Sequence, residues 1–365
     1  MEPHALFLAA PFGTGHLYAA QAAAEAWQGL APDWRVTVSN ASPLLVRGVA
    51  AGYLELLQWA PGLYRRLYQA ALPPSAAWLI RRAFLRPVIE ALRTNRPTVV
   101  IATHPFPGRV AAHLKRKGRL NARIAFIVTD FLPHRLWVCP GVDQYFVATS
   151  AGAARLRDLG VPPERISVSG IPIRAAFDRP IARPLETGPE RHVLVMGGGL
   201  GLGPIAEAVG ALAAIPRPEL RVTVVCGRNE ALRSELQEQL SGDHRFRLLG
   251  ETDQVPDLMR EADLLISKPG GLTCCEALAS GLPLVLLAPL PGQEEENAEA
   301  LLLTGAARIA PTEGVGGLVD HLLWSEAAGV RAMRQCAQSA GRPGAARSIA
   351  TTLLGIERMA ERTGS

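Results

Sequence analysis

Two stretches of this chain hold the residues best suited to chemistry. One is KPGGLTCCEAL, with Gly270, Gly271, Leu272, Thr273 and Glu276; the other is PGQEEEN, with Gln293 and Glu294. Adjacent glycines let a backbone approach a ligand closely, and a helix that starts there offers free N–H groups and a positive dipole end. Together they suit a diphosphate. Glu276 lies about one turn into that helix, and its acceptor-only carboxylate matches a vicinal diol such as a ribose. In the polar loop that follows the next apolar run, Gln293, Glu294 and Asn297 offer donors and acceptors to a second polyhydroxylated group. For the Gly-Gly pair taken alone, the plainer reading is an ordinary strand-to-helix turn carrying solvated charges.

A second set follows other apolar runs. His16, His104, Asp130 and His134 each come just after a predicted strand, and four ionisable groups at equivalent carboxyl edges give a cleft with proton-transfer capacity. His16 by itself reads either as a helix cap or packing residue, or as a phosphate donor or general base. The run GGGLGLG at 197–203 also follows a strand, so Gly198, Gly199 and Gly201 are candidates for backbone contact with phosphate. Arg228 lies just past the strand at 221–226, and Val255 opens a short helix.

These residues need elements to hold them, and the apolar runs supply a regular alternation of strand, turn and helix. Strands are predicted at 5–10, 35–39, 98–103, 123–129, 144–149, 166–169, 192–196, 221–226, 245–249 and around 264. Helices are predicted at 17–30, 110–117 and 151–159 and from Ile205, Val255 and Thr273 onward. Alternation of this kind implies parallel sheets. The fold class is therefore α/β, with two Rossmann-like domains facing across a cleft. The expected boundaries are 1–168 and 169–341, with a last helix at 342–365 packing back on the first domain, because Gly and Pro cluster at 170–174. A nicotinamide fingerprint fails: the first loop reads GTGH, and no acidic residue closes the strand at 35–39.

Composition narrows the function classes. The 365 residues are 48% hydrophobic and 19% charged with a formal net charge of +5, enough apolar content for two buried cores. Between Ser42 and Arg96, eight arginines stand against two acidic residues, an excess that more than accounts for the charge of the whole chain. Arg65, Arg66, Arg81 and Arg82 alternate there with Tyr53, Trp59, Tyr64, Tyr68, Trp78 and Phe84. Cations with Trp and Tyr on short helices suit an anionic membrane interface. The alternative is a helical insertion with its apolar side in the core, and nucleic acid is a weaker third choice because no binding motif is present. Five cysteines without a CxxC pair argue against a disulfide framework and give no metal site. The N-terminal apolar run is too short and too glycine-broken for a signal peptide or a span, so the expected location is cytoplasmic and peripheral.

With GTGH, THPFP, VTDFLPH, GIPIR, GGGLGLG, KPGGLTCCEAL and PGQEEEN in hand, the chain resembles the GT-B glycosyltransferases of family 28. The likeness is to the group that contains monogalactosyldiacylglycerol synthases and processive diacylglycerol glucosyltransferases. The resemblance runs from about Gly13 to Ala307. It implies inverting transfer of a hexose from a UDP-sugar to a lipid acceptor, most simply diacylglycerol, at the inner face of the cell membrane, with no cofactor, no metal and no nucleic acid. By the family pattern Glu276 holds the ribose, Gly270 to Thr273 and Gly198, Gly199 and Gly201 the phosphates, and Gln293 and Glu294 the hexose. Residues near Glu251 to Val255 hold the uracil. His16 and Asp130 are the base candidates, and the 42–96 segment, with His104 and His134, lies on the acceptor and membrane side. Glu296 stands where a small residue is expected, which leaves the hexose open. A UDP-GlcNAc transferase acting on a polyprenyl-linked glycan, and a UDP-sugar 2-epimerase or non-catalytic binder, are the alternatives.

Overall fold

The computed structural model describes residues 2–11, 13–40, 74–178, 189–201 and 203–363, with 74–83 and 360–363 described by backbone alone. These form two compact units. One comprises Met1–Ala175, Pro291–Gln293 and Gly344–Ser365, the other Ala176–Leu290 and Glu294–Pro343.

The first unit contains β1 (His4–Ala9), α1 (Gly15–Leu30), β2 (Arg35–Asn40), α2 (Pro74–Asn95), β3 (Val99–Ala102), α3 (Pro105–Arg116) and β4 (Arg123–Ile127). It continues with β5 (Gln144–Val147), α4 (Ser150–Asp158) and β6 (Ile166–Val168). The strands are all parallel, in the order β2-β1-β3-β4-β5-β6. Helices cover both faces, so β1 and β3 are buried at every residue and, after the hydrogen-bonded His4 that opens β1, read as apolar runs. Leu6, Leu8, Val100, Ile124 and Phe126 pack on one side with Phe84, Val88 and Val110 of α2 and α3. Ala5, Phe7, Val99, Ile101 and Ile127 pack on the other with Ala20 and Trp27 of α1. A long last helix, Ala345–Thr363, adds Ile349, Ala350, Leu353 and Leu354 to that second side, and Glu357 accepts from Arg123 Nε at 2.5 Å. Without those leucines the apolar stripe of α1 would face water.

The second unit holds β7 (Arg191–Met196), α5 (Ile205–Ala213), β8 (Leu220–Val225), α6 (Glu230–Gln239), β9 (Phe246–Leu249), α7 (Val255–Glu261) and β10 (Leu264–Ser267). Then come α8 (Gly271–Ala279), β11 (Leu284–Leu286), α9 (Gln293–Leu303), β12 (Ala307–Ile309), α10 (Val315–Asp320) and α11 (Ala327–Ala340). Its sheet is also parallel throughout, ordered β12-β11-β10-β7-β8-β9. The α/β reading with two parallel sheets therefore holds.

In each sheet the strand order reverses once, between β1 and β3 and between β7 and β10. Loops leaving the carboxyl ends of such a pair diverge to opposite faces and open a crevice, which is where parallel sheets bind ligands.

Two expectations change. The segment PFPG after β3 reads as a loop, yet α3 begins at Pro105, because proline is tolerated in a first turn whose N–H groups have no helical partner. Gly108 of that helix sits so close to the sheet that a Cβ would lie 2.4 Å from the Phe126 ring. The polar loop around 293–297 is likewise helical: α9 starts at Gln293, and Glu294, Glu295 and Glu296 fill its first turn, where the dipole favours negative charge. Of the basic segment, Arg65 and Arg66 fall outside the described residues. Trp78, Arg81 and Arg82 fall on the part of α2 described by backbone alone. No helix among the described residues is long and apolar enough to cross a membrane.

Candidate functional site

In the first unit the switch between β1 and β3 brings three sequence candidates onto one rim. His16 is the second residue of α1, and its Nδ1 lies 2.9 Å from the Thr103 carbonyl oxygen and 2.8 Å from Thr129 Oγ1. A carbonyl only accepts, so Nδ1 carries the proton and Nε2 keeps its lone pair. Thr103 in turn donates its hydroxyl to the His16 carbonyl at 2.8 Å, locking the start of α1 to the end of β3. The His104 ring stands edge-on to His16 with centroids 4.7 Å apart. Its Nδ1 accepts from Phe106 N, so this buried histidine caps α3. His134 plays the same local part, accepting from Leu136 N at 3.3 Å.

Asp130 follows β4 and is 6% exposed. Trp137 Nε1 donates to its Oδ2 at 2.9 Å, and Gln293, which groups with this unit, donates to its Oδ1. Arg109 fixes the intervening loop by donating to the carbonyls of Leu136 and Val138. Burial pushes the Asp130 carboxyl up from 3.8 to about 6, against the lowering effect of its two donors. It pushes His16 the other way, from 6.5 down to about 4, against the Thr103 carbonyl. At neutral pH the rim therefore carries a carboxylate and a neutral imidazole.

The raised pKa has a consequence for stability. Between about 4 and 6 the folded state holds the Asp130 proton more tightly than the unfolded chain, so stability falls as pH rises through that window and is level above it. Asp130→Asn removes the charge and keeps an acceptor for Trp137, and its amide nitrogen can donate to Gln293 once that side-chain amide turns to present its oxygen. We expect the variant to be more stable than the parent by about 3 kcal/mol at pH 7, the gain shrinking towards zero near pH 4. Urea unfolding across that range checks it, and a pH-independent difference would remove the raised carboxyl from the account.

In the second unit the switch lies between β7 and β10. After β7 the glycine run turns back on itself, with Gly201 N donating to Gly198 O at 3.0 Å. Gly198 and Gly201 have φ of 71° and 58°, the left-handed region that favours glycine. A Cβ at Gly201 would lie 2.1 Å from the Cys226 carbonyl oxygen, so this glycine packs against the turn after β8 as much as it frees a ligand surface. Arg228 on that neighbouring turn is exposed and pairs with Glu251 at 2.8 Å. Val255 is buried in the first turn of α7.

Across the switch, β10 ends at Ser267 and Lys268, and Gly270 caps α8 with open space around it. Glu276 is on α8 and only 8% exposed. Asn297 is buried and donates to the Pro269 carbonyl at 3.1 Å, so it braces the α8 turn rather than facing a ligand. Glu294 Oε1 accepts from Lys268 Nζ at 3.0 Å, and its Oε2 accepts from Leu290 N at 3.0 Å. Among the described residues no cluster of three or more His, Cys, Asp or Glu is arranged to hold a metal ion. Thr103, Thr129, Trp137 and Lys268 were not among the sequence candidates. Only Lys268 carried a sequence signal, as a lone cation between a strand end and a Gly-Gly turn.

Comparison with known proteins matches both halves of the chain. A profile described as monogalactosyldiacylglycerol (MGDG) synthase covers residues 16–173, and one described as the glycosyltransferase family 28 C-terminal domain covers 192–323. A processive diacylglycerol beta-glucosyltransferase of Bacillus mycoides is 30% identical over 369 residues, spanning 97% of this chain and 94% of that relative. The chain belongs to glycosyltransferase family 28, with the MGDG synthases and processive diacylglycerol glucosyltransferases. This glycosyltransferase has a second such relative in Bacillus thuringiensis, 30% identical over 371 residues and covering the same shares. Among solved structures it resembles MurG of Acinetobacter baumannii (TM-score 0.63, 17% identity, 97% and 99% of the two chains). It also resembles S. aureus MnaA, determined with UDP (TM-score 0.64, 13% identity, 95% of each). At these identities the likeness shows the GT-B fold.

Proposed function

We propose that this glycosyltransferase moves glucose from UDP-glucose to the free hydroxyl of diacylglycerol, with inversion at the anomeric carbon and no resident metal. The observation that carries the reading is the likeness along almost the whole chain to enzymes named processive diacylglycerol beta-glucosyltransferases. A nucleotide sugar of α configuration giving a β product implies inversion, hence one displacement and a base for the acceptor proton.

His16 is the base. Its Nδ1–H is committed to the Thr103 carbonyl, which leaves Nε2 to accept the proton, and its lowered pKa keeps it neutral at physiological pH. Asp130, ionised above about pH 6 and held by Trp137, supplies negative charge that stabilises an imidazolium and the polarised hydroxyl on the same rim. On the donor side Glu276 takes the ribose hydroxyls. The N–H groups at the start of α8, with Gly198 and Gly199, take the diphosphate, and Gln293 and Glu294 take the hexose. These backbone dipoles offset the leaving-group charge that a divalent ion would otherwise meet. Phe84, Val88 and Leu92 pack in the core, so it is the basic, aromatic part of the 42–96 segment ahead of Phe84 that is offered to anionic lipid at the inner face of the membrane, where the acceptor is found.

The deciding experiment offers UDP-glucose, UDP-galactose and UDP-GlcNAc in competition, with diacylglycerol in anionic vesicles and EDTA present, and reads the lipids by mass spectrometry. Glucosyl-diacylglycerol with a β linkage is expected. Sugar found only on a polyprenyl acceptor, or release of a 2-epimer without transfer, would overturn the reading.

A further inference from the structure

On the donor side, Lys268 has no part yet in the proposed transfer. The chain contains 35 arginines and only three lysines, Lys115, Lys117 and Lys268. Lys115 and Lys117 stand at the end of α3, far along the chain from any donor residue. Lys268 directly follows β10, at the point where the sheet order reverses.

Its side chain is 25% exposed, and its ammonium reaches Glu294. Its Cε lies 4.0 Å from where a Cβ on Gly198 would stand. The paired register of Met196 with Ser267 explains this: the turns after β7 and β10 leave from neighbouring positions, and Lys268 reaches over the first of them. The lysine stem therefore lies alongside the Gly198 turn at van der Waals range. A compact ammonium on a flexible stem can lie along that turn as a point charge. Glu294 has its second oxygen on Leu290 N, so its carboxylate is held from two sides and its share of the lysine charge is fixed in direction.

We infer that Lys268 is a further donor-binding residue. Its ammonium meets the diphosphate of the nucleotide sugar at the Gly198 turn while it steadies Glu294 for the hexose. This rests on the UDP-sugar reading given above. An ammonium carries three N–H donors, and Glu294 accepts one, so two remain for phosphate oxygens. The charge lies where the bond to the anomeric carbon leaves its electrons, so it stabilises the departing UDP as well as the bound one.

Two measurements test this with UDP itself as the probe. The first is lysine acylation of the folded wild-type protein, read by mass spectrometry, for which a chain of three lysines gives a simple spectrum. UDP should protect Lys268 several-fold and leave Lys115 and Lys117 unchanged. The second is calorimetric titration of UDP into Lys268→Met, where the loss of a charge-assisted contact should weaken binding by about tenfold or more. Lys268→Arg keeps the charge and should recover part of that loss. Undiminished acylation of Lys268 in the presence of bound UDP, or wild-type UDP affinity in folded Lys268→Met, would reduce the lysine to a strut for Glu294 and overturn the inference. If Lys268→Met does not fold, the protection experiment on the wild type decides alone. A wild-type protein that binds no UDP at all would instead sink the donor reading on which the inference stands.

Discussion

His16→Ala lowers kcat by about 10²- to 10⁴-fold, the range for removing a positioned general base, with little change in the KM for the donor. The geometry behind this expectation is the Thr103 carbonyl. By accepting from Nδ1 it leaves the other ring nitrogen as the proton acceptor, and Thr103 also holds the His16 backbone, so ring and main chain are fixed together. The lowered pKa means that the imidazole is the base form throughout the range in which the enzyme works, so the His16 ionisation contributes no acid limb above about pH 5. A fall in kcat/KM below about pH 6 then belongs to Asp130, and Asp130→Asn should abolish that limb. Single-turnover assays of sugar transfer to lipid measure the first effect directly. A variant with kcat within a few-fold of the parent would return His16 to the part of a helix-start packing residue.

Glu276→Ala weakens UDP binding by about 10²- to 10⁴-fold, on the argument that a buried carboxylate accepts from two ribose hydroxyls in charge-assisted bonds of about 1.5–3 kcal/mol each. The position supports it: α8 is capped by Gly270, which has open space around it, and Glu276 is held at 8% exposure on the same short helix, so its side chain has little freedom to lose on binding. Comparison of UDP with 2′-deoxy-UDP separates this contact from general disruption. The wild type should prefer UDP, and the variant should bind both alike. Retained discrimination in Glu276→Ala would place the ribose elsewhere.

How much of this was legible in the chain itself depended on the range of the interactions involved. Parallel strands covered on both faces are apolar at nearly every position, so β1, β3 and β10 stand out as short runs broken only at an end, by His4 and Ser267, and the glycine turns after β7 and β10 mark their carboxyl ends. Local chemistry therefore determined the α/β class, the two sheets and the placement of Gly270, Glu276, His16 and Asp130 at strand ends. The family resemblance rests on the same local motifs.

Where the local signals conflicted, the sequence misled. PFPG and GQEEEN both carry residues common in loops, yet both open helices, since a first turn tolerates proline and attracts acidic side chains. Nothing local distinguishes such a first turn from a loop; the packing of Gly108 on Phe126 and of Asn297 on the Pro269 carbonyl decides.

The sequence by itself determined which side chains stand at the carboxyl edges of the strands. It could not say what each of them touches, because most of those partners are brought close by strand order, and the one near in the chain, Trp137, is aimed at Asp130 by the folding of its loop. Only the tertiary structure assigned the His16 proton to Nδ1 through Thr103, set the Asp130 carboxyl against Trp137, turned Asn297 inward as a brace, and joined Lys268 to Glu294. Three of these join segments that follow different strands of one sheet, and the fourth, Asp130 with Trp137, depends on how the single connection after β4 folds back on itself; both are properties of the folded chain.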